Sequence, residues 1–230
     1  MSFLDGASID PAVRERWPDY AVFLVTARGI HSAESDTESD AALADAEAFA
    51  SSLTATIEEI PQVAAWRAAF REFGVKPRSA VSSLEALLRR TAAGLPRIDR
   101  LTDHYNAISV SQLVPFGGED LDAYDGPPRL VVATGYEPFD ALERGEVTHT
   151  NPKPGEVVWR DDAGVTCRRW NWRQCARTRL TPDTRNALYI IDGLGPTAVD
   201  DVEAAGSDLI IALRSVTPDV QIETRLIRAS

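Results

Sequence analysis

The strongest constraint on the fold is a division of the chain into two kinds of periodicity. Up to about residue 113 the apolar residues mostly recur at helical spacing, and from about residue 129 the chain reads mainly as short strands. Residues 41–60 are alanine-rich and predict a helix. Pro61 suits the first turn of the next, where Val63, Trp66, Phe70 and Phe73 recur and Gly74 supplies the stop. Ser82 and Glu85 form a capping-box pattern for a helix carrying Leu84, Leu87 and Leu88, and residues 103–113 predict one more. Strands follow over 129–133, 156–160, 165–173 and 187–191, with 161–164 (DDAG) as a hairpin turn. A helix over 202–213 and a closing strand over 220–227 complete the chain. Residues 20–27 (YAVFLVTA) are the early exception, an apolar run typical of a buried strand. Helices grouped first and strands grouped later predict an α+β fold with a mostly antiparallel sheet, not βαβ alternation. Residues 1–230 read as one domain, with 1–18 a loosely structured lead-in and 30–40 an acidic loop.

Charge narrows the function. The net charge of −11 argues, taken alone, against a nucleic-acid partner, DNA included, but it is unevenly spread. Residues 1–65 hold 12 acids against 3 arginines, whereas residues 66–230 hold 23 acids against 21 basic residues. Within the latter, 66–100 carries 8 basic residues against 3 acids, and 165–180 carries 5 arginines and no acid. Arginine in such patches suits planar contacts to phosphate or carboxylate; paired with nearby acids it is ordinary surface. The two cysteines, eight apart, and three scattered histidines do not make a zinc site, so no metal is expected. Cys175 reads either as a nucleophile or as an inert buried thiol, the latter favoured by the lack of a histidine nearby. GxGxxG, Walker A and GxSxG patterns are absent, and no cofactor is expected. No apolar run is long enough to span a bilayer, and the N-terminus lacks a basic signal-like region. The expected setting is cytoplasmic, without a membrane partner.

Two stretches concentrate chemistry. In 165–173, strand alternation predicts Trp170 and Trp172 on one face and Arg169, Asn171 and Arg173 on the other. With Gln174, Arg177 and Thr178 following, the second face gathers donors for a carboxylate, phosphate or ribose. The other stretch is 115–122 (PFGGEDLD), where Gly117 and Gly118 either bring backbone N–H groups close to a ligand or simply make a turn. Asn106 lies about one helix length upstream.

These residues resemble a known family. The runs 98–106 (IDRLTDHYN) and 115–122 are similar to the B3/B4 domain of the phenylalanyl-tRNA synthetase β subunit. Residues 70–79 (FREFGVKPRS), 115–118 (PFGG) and 170–173 (WNWR) resemble free-standing B3/B4-like proteins, over about residues 66–194. The resemblance implies a trans-acting hydrolase of mischarged aminoacyl-tRNA, needing an ordered water and a stabilised oxyanion but no Ser-His-Asp triad. It matches Asn106 and Asp122 to the family's asparagine and aspartate. It places Tyr105 where the family has threonine, and Glu119 near its histidine. The implied roles follow. Gly117 and Gly118 would serve the oxyanion, and Glu119 or Asp120 the water or the α-ammonium. Asn106 and Asn171 would orient the amino acid or ribose, and Arg173 and Arg177 would meet the carbonyl or terminal phosphate. Arg78, Tyr105, Phe116, Gln174 and Thr178 complete the expected substrate contacts. The partner is then an aminoacylated tRNA acceptor end or an amino-acid ligand. A non-catalytic binding module and a partner-binding protein on the same fold are the alternatives.

Overall fold

A computed structural model describes residues 2–76, 79–143, 145–195 and 198–229. The chain opens with a 3-10 turn over Phe3–Gly6, β1 (Ser8–Ile9) and α1 (Pro11–Arg16). Asp10 caps α1 by accepting from the Ala12 N–H at 2.8 Å, and Pro11 occupies its first turn, where no donor is needed. β2 (Ala21–Arg28) leads into four helices: α2 (Thr37–Ser52), α3 (Pro61–Glu72), α4 (Ser83–Leu88) and α5 (Arg100–Ser111). The second half supplies β3 (Phe116–Asp120), β4 (Arg129–Val132), β5 (Phe139–Glu143), β6 (Glu146–Thr150), β7 (Val157–Arg160), β8 (Val165–Arg168), β9 (Arg173–Gln174) and β10 (Asn186–Gly193). α6 (Ala198–Val216) and β11 (Gln221–Arg228) end it. The fold is α+β, with helices mainly in the first half and sheets that are antiparallel apart from the short β1–β4 pairing.

One sheet has the order β11-β2-β10-β3, another β1-β4-β7-β8-β9, and β5-β6 is a separate hairpin. The four-stranded sheet is covered on both faces. Val22 and Leu24 of β2, with Leu188 and Ile190 of β10, join the core shared with Leu130, Val157, Trp159 and Trp170 of the five-stranded side. Their neighbours Ala21, Val25, Ala187, Tyr189 and Ile191 pack with Leu101 of α5 and Val202, Leu209 and Leu213 of α6. That double burial is why residues 20–27 read as an unbroken apolar run. A third core joins α2, α3, α4 and α5 through Leu43, Val63, Leu84, Leu88 and Val110.

The structure departs from the sequence expectations in several places. Residues 1–18 are not a loose lead-in, because Leu4, Ile9, Val13 and Trp17 are all buried in the first core. The acidic stretch 30–40 is partly helical: Asp36 accepts from the Glu38 and Ser39 N–H groups, and Arg100 pairs with Asp36 and Glu38 at 3.0 and 2.6 Å. The helix expected over 41–60 stops at Ser52. There the Ser51 and Ser52 hydroxyls bond back to the Glu47 and Phe49 carbonyls, and Glu59 folds onto Thr56 to start a separate short turn. Another departure, at 165–173, shapes the site.

Candidate active site

A strand over 165–173 is interrupted after Arg168. Arg169 and Trp170 adopt φ of 48° and 66°, the left-handed region that costs a side-chain-bearing residue on the order of 1 kcal/mol or more. Packing imposes this turn. Trp170 is fully buried and meets Trp17, Tyr20 and Trp66 edge-on at 4.9, 4.9 and 5.2 Å, while its N–H donates to Val157 O at 2.7 Å. Glu156, itself buried, takes two bonds from Arg168 at 2.9 and 2.8 Å and one from the Arg169 N–H at 3.2 Å. The tryptophans therefore do not share a strand face. Trp170 fills the core, and Trp172 lies half-buried under the Arg169 guanidinium, 4.0 Å from its ring.

The turn delivers Asn171 to a pocket of about 270 Å³ between the sheets. Gly117, Glu119, Ile190 and Asp192 form its floor, Trp159, Cys167 and residues 170–174 face them, and α4 and α5 close its side. Pockets of this size suit a small ligand, near the lower end for drug-sized molecules. α5 contributes Tyr105 and Asn106; Asp99 caps this helix by accepting from the Thr102 N–H at 2.9 Å. The Asn106 amide has no hydrogen-bond partner among the described residues, and Asn171 Oδ1 is buried without one. Unsatisfied polar groups facing one cavity are what a ligand supplies.

Two buried carboxyl groups lie on the floor. Burial is the main cause that pushes Glu119 up to about 7, against hydrogen bonds that favour its charge, including one from the Tyr124 hydroxyl. Burial likewise pushes Asp192 up to about 7, though Tyr20 OH donates to it at 2.6 Å and Asn171 Nδ2 at 3.4 Å. Asp192 pairs across from Pro115, and Glu119 from Leu188, four residues along the strand. At about 3.3 Å per residue the two are roughly 13 Å apart along the sheet, too far to share a proton. They mark opposite ends of the pocket. Asp192 escaped the sequence reading; its signal was a lone carboxylate in the apolar run ALYIID.

The structure brings Tyr105, Asn106, Phe116, Gly117, Glu119, Asn171, Arg173 and Gln174 to this pocket. Asp120, Arg177 and Thr178 are not among its lining residues. Asp120 is on the opposite strand face from Glu119, accepting from the Asp122 N–H at 3.0 Å and the Thr184 hydroxyl at 2.7 Å. Arg177 is spent on Asp161, with two bonds of 2.9 Å, and on Ala123 O. Thr178 is buried against Cys175 Sγ at 3.2 Å. Arg78 lies outside the described residues. Arg173 sits at the rim, bonded to Glu143 at 3.1 Å and Leu142 O at 2.8 Å.

The glycines do not form a loop but lie in β3. Because Asp192 N donates to Pro115 O, alternation turns the Gly117 N–H into the ladder toward Ile190 and the Gly118 N–H away from it. Gly118 O is taken by Gln174 Nε2 at 2.6 Å. What Gly118 provides is room: a Cβ there would sit 2.8 Å from Leu180, 3.1 Å from Tyr189 and 3.3 Å from Tyr105. Gly118→Ala is expected to destabilise the protein by about 1–3 kcal/mol, read as a lower midpoint in urea.

The raised carboxyls also set a pH dependence. Their folded values exceed the unfolded ones, so between about 4 and about 7 the native state holds more protons. The stability tied to these groups is therefore full below about pH 4, is lost progressively as pH rises to about 7, and changes no further above it. Thermal melts should show Tm dropping from about pH 4 to about pH 7 and levelling off above it, and Glu119→Gln should flatten the drop. A Tm that climbs over this range would contradict both assignments.

A half-open pocket between a helix-backed sheet and a second sheet is the candidate site of this α+β fold. The fold matches the crystal structure of an N-terminal fragment of the phenylalanyl-tRNA synthetase β-subunit from Pyrococcus horikoshii, with a TM-score of 0.52 at 14% identity. The match covers 94% of this chain and 49% of that one, so the chain spans about half its length. The B3/4 domain pattern matches residues 65–205, and the chain belongs to the B3/4 domain family. Comparison with curated proteins gives no match. Among the described residues, no helix is long and apolar enough to cross a membrane.

Proposed function

We propose that the pocket receives an aminoacyl group and that the protein hydrolyses the ester joining it to a mischarged tRNA. One observation carries this reading: a buried carboxyl, Glu119, pushed up to about 7, lines a mainly apolar pocket that the unpartnered Asn106 amide also lines. A base poised near working pH is suited to activating water. Ionised Glu119 takes a proton from water as the water oxygen adds to the ester carbonyl carbon. The oxyanion is met by the Asn106 amide and the second N–H of Gln174. Collapse breaks the bond to the ribose oxygen, which recovers the proton from Glu119, and the free amino acid leaves. Asn171 and Asp192 at the far end of the pocket orient the amino-acid moiety.

The test is a panel of correctly charged and mischarged tRNAs. At least one ester should be cleaved well above the buffer rate; if none is, hydrolysis is refuted.

A second reading, a non-catalytic module for an amino acid or aminoacylated RNA end, has its own support. Among the described residues the pocket offers no activated nucleophile: burial pushes the Cys167 thiol well above its usual range, and desolvation pushes the hydroxyl of the partly buried Tyr105 up to about 12. That reading requires tighter binding to aminoacylated than to uncharged tRNA.

A further inference from the structure

Glu119 is held by a residue that is no wall of the pocket it lines. Tyr124 follows the 3-10 turn Leu121–Ala123 after β3, and its hydroxyl donates to Glu119 Oε2. The same hydroxyl lies 3.4 Å from Thr166 Oγ1 of β8. The Tyr124 ring lines a separate groove of about 420 Å³, where Phe3 meets it edge-on with centroids 5.7 Å apart.

The backbone fixes this residue from both sides. Before it, Asp120 caps the turn by accepting from the Asp122 N–H at 3.0 Å, and the Tyr124 N–H donates to Leu121 O at 3.3 Å. After it, the Asp125 N–H donates to Asp161 at 2.9 Å, and Asp125 O accepts from the Asp162 N–H at 2.7 Å. Tyr124 is therefore clamped between β3 and the hairpin that follows β7.

The phenol is a dependable donor. Burial, and after it the charge of Glu119, raises its hydroxyl well above the usual range, so it keeps its proton. Of the bonds that favour a charged Glu119 against burial, that from Tyr124 comes first, with Thr178 and Thr166 after it. The other titratable groups acting on Glu119 or felt by it, among the described residues, are Asp161, Cys167 and Cys175. Asp161 opposes the charge, its own partner being Arg177 at 2.9 Å, and burial raises both thiols.

Resting on the reading of Glu119 as general base, we infer that Tyr124 is its positioning residue. The phenol grips one carboxyl oxygen and so fixes both the aim and the charge of Glu119. Tyr124 itself meets no substrate and acts only through that carboxylate. Tyr124→Phe keeps the ring and its contact with Phe3 and removes the donor alone. Glu119 should then ionise about one pH unit higher, because a hydrogen bond to the charged form favours it. Hydrolysis should fall by about tenfold below neutrality and by less above it, since one unit is tenfold in ionised base.

The experiment is a carbon NMR titration of the Glu119 carboxyl in the full chain, wild type and Tyr124→Phe, beside the pH–rate profile of both. Glu119→Gln assigns the signal, and thermal melts report whether Tyr124→Phe is folded. Fluorotyrosine in place of Tyr124 is the second variant: a more acidic phenol donates more strongly, so the titration should move down instead. A Glu119 titration unmoved by either replacement, or a rate lowered evenly at every pH, would overturn the proposal. The two claims separate cleanly. Cleavage with an unmoved titration keeps the hydrolase and removes Tyr124. A moved titration without cleavage of any aminoacyl ester removes the hydrolase and leaves the grip of Tyr124 on Glu119 standing.

Discussion

Glu119→Gln should lower ester hydrolysis by about 10²–10⁴-fold, the usual contribution of a positioned general base. The substitution keeps the shape of the side chain and an oxygen to accept from Tyr124, so the fold should survive and substrate binding should change far less than turnover. The wild-type rate should rise with pH through about 7, because ionised Glu119 is the active form. In the variant that rise should vanish. The measurement is single-turnover release of the amino acid from the preferred aminoacyl-tRNA, repeated across pH. A variant as fast as wild type would remove Glu119 from the chemistry. The stability that the raised carboxyls cost is lost between about pH 4 and about pH 7, before the base ionises, so the activity gained above neutrality brings no further loss from them.

The largest stability effect should come from Trp170→Ala. Removing a fully buried tryptophan typically costs about 3–5 kcal/mol, and here three aromatic edges lose their shared partner. Alanine at φ 66° remains strained, so the backbone gains nothing in return. Against a total stability of about 5–15 kcal/mol this is a large fraction. Urea denaturation should show a much lower midpoint, and a shift under about 1 kcal/mol would mean that the aromatic cluster does not hold the 169–172 turn. Because that turn carries Asn171 and Trp172, ligand binding should weaken as well.

Much of the fold could be read in the residues. Helical spacing at Val63, Trp66 and Phe70, the Ser82 cap and the apolar run at 20–27 each produced the element they suggest, because local pattern and burial agree there. The site was legible in outline, and several of its residues do line one pocket. Its details were not. Alternation fails at Arg169 and Trp170, since nothing local announces a left-handed tryptophan; only the cluster of Trp17, Tyr20 and Trp66, distant in sequence, enforces it. The glycine pair suggested free amides, but the close approach of Leu180 and Tyr189 is a tertiary demand, met by a strand. Arg177 looked available because its partner Asp161 sits in a hairpin turn sixteen residues away. Asp192 was hidden by its apolar neighbours, which are the reason its proton is held so tightly.

The central claim is that the acyl group lies in the pocket between Glu119 and Asp192. The most direct measurement is a structure of the protein with a non-hydrolysable aminoacyl-adenosine amide. The expected result places the amide carbonyl toward Glu119 and Asn106 and the amino-acid end toward Asn171 and Asp192. An analogue bound with its acyl group outside the pocket, or a pocket left empty at saturating analogue, would contradict the account.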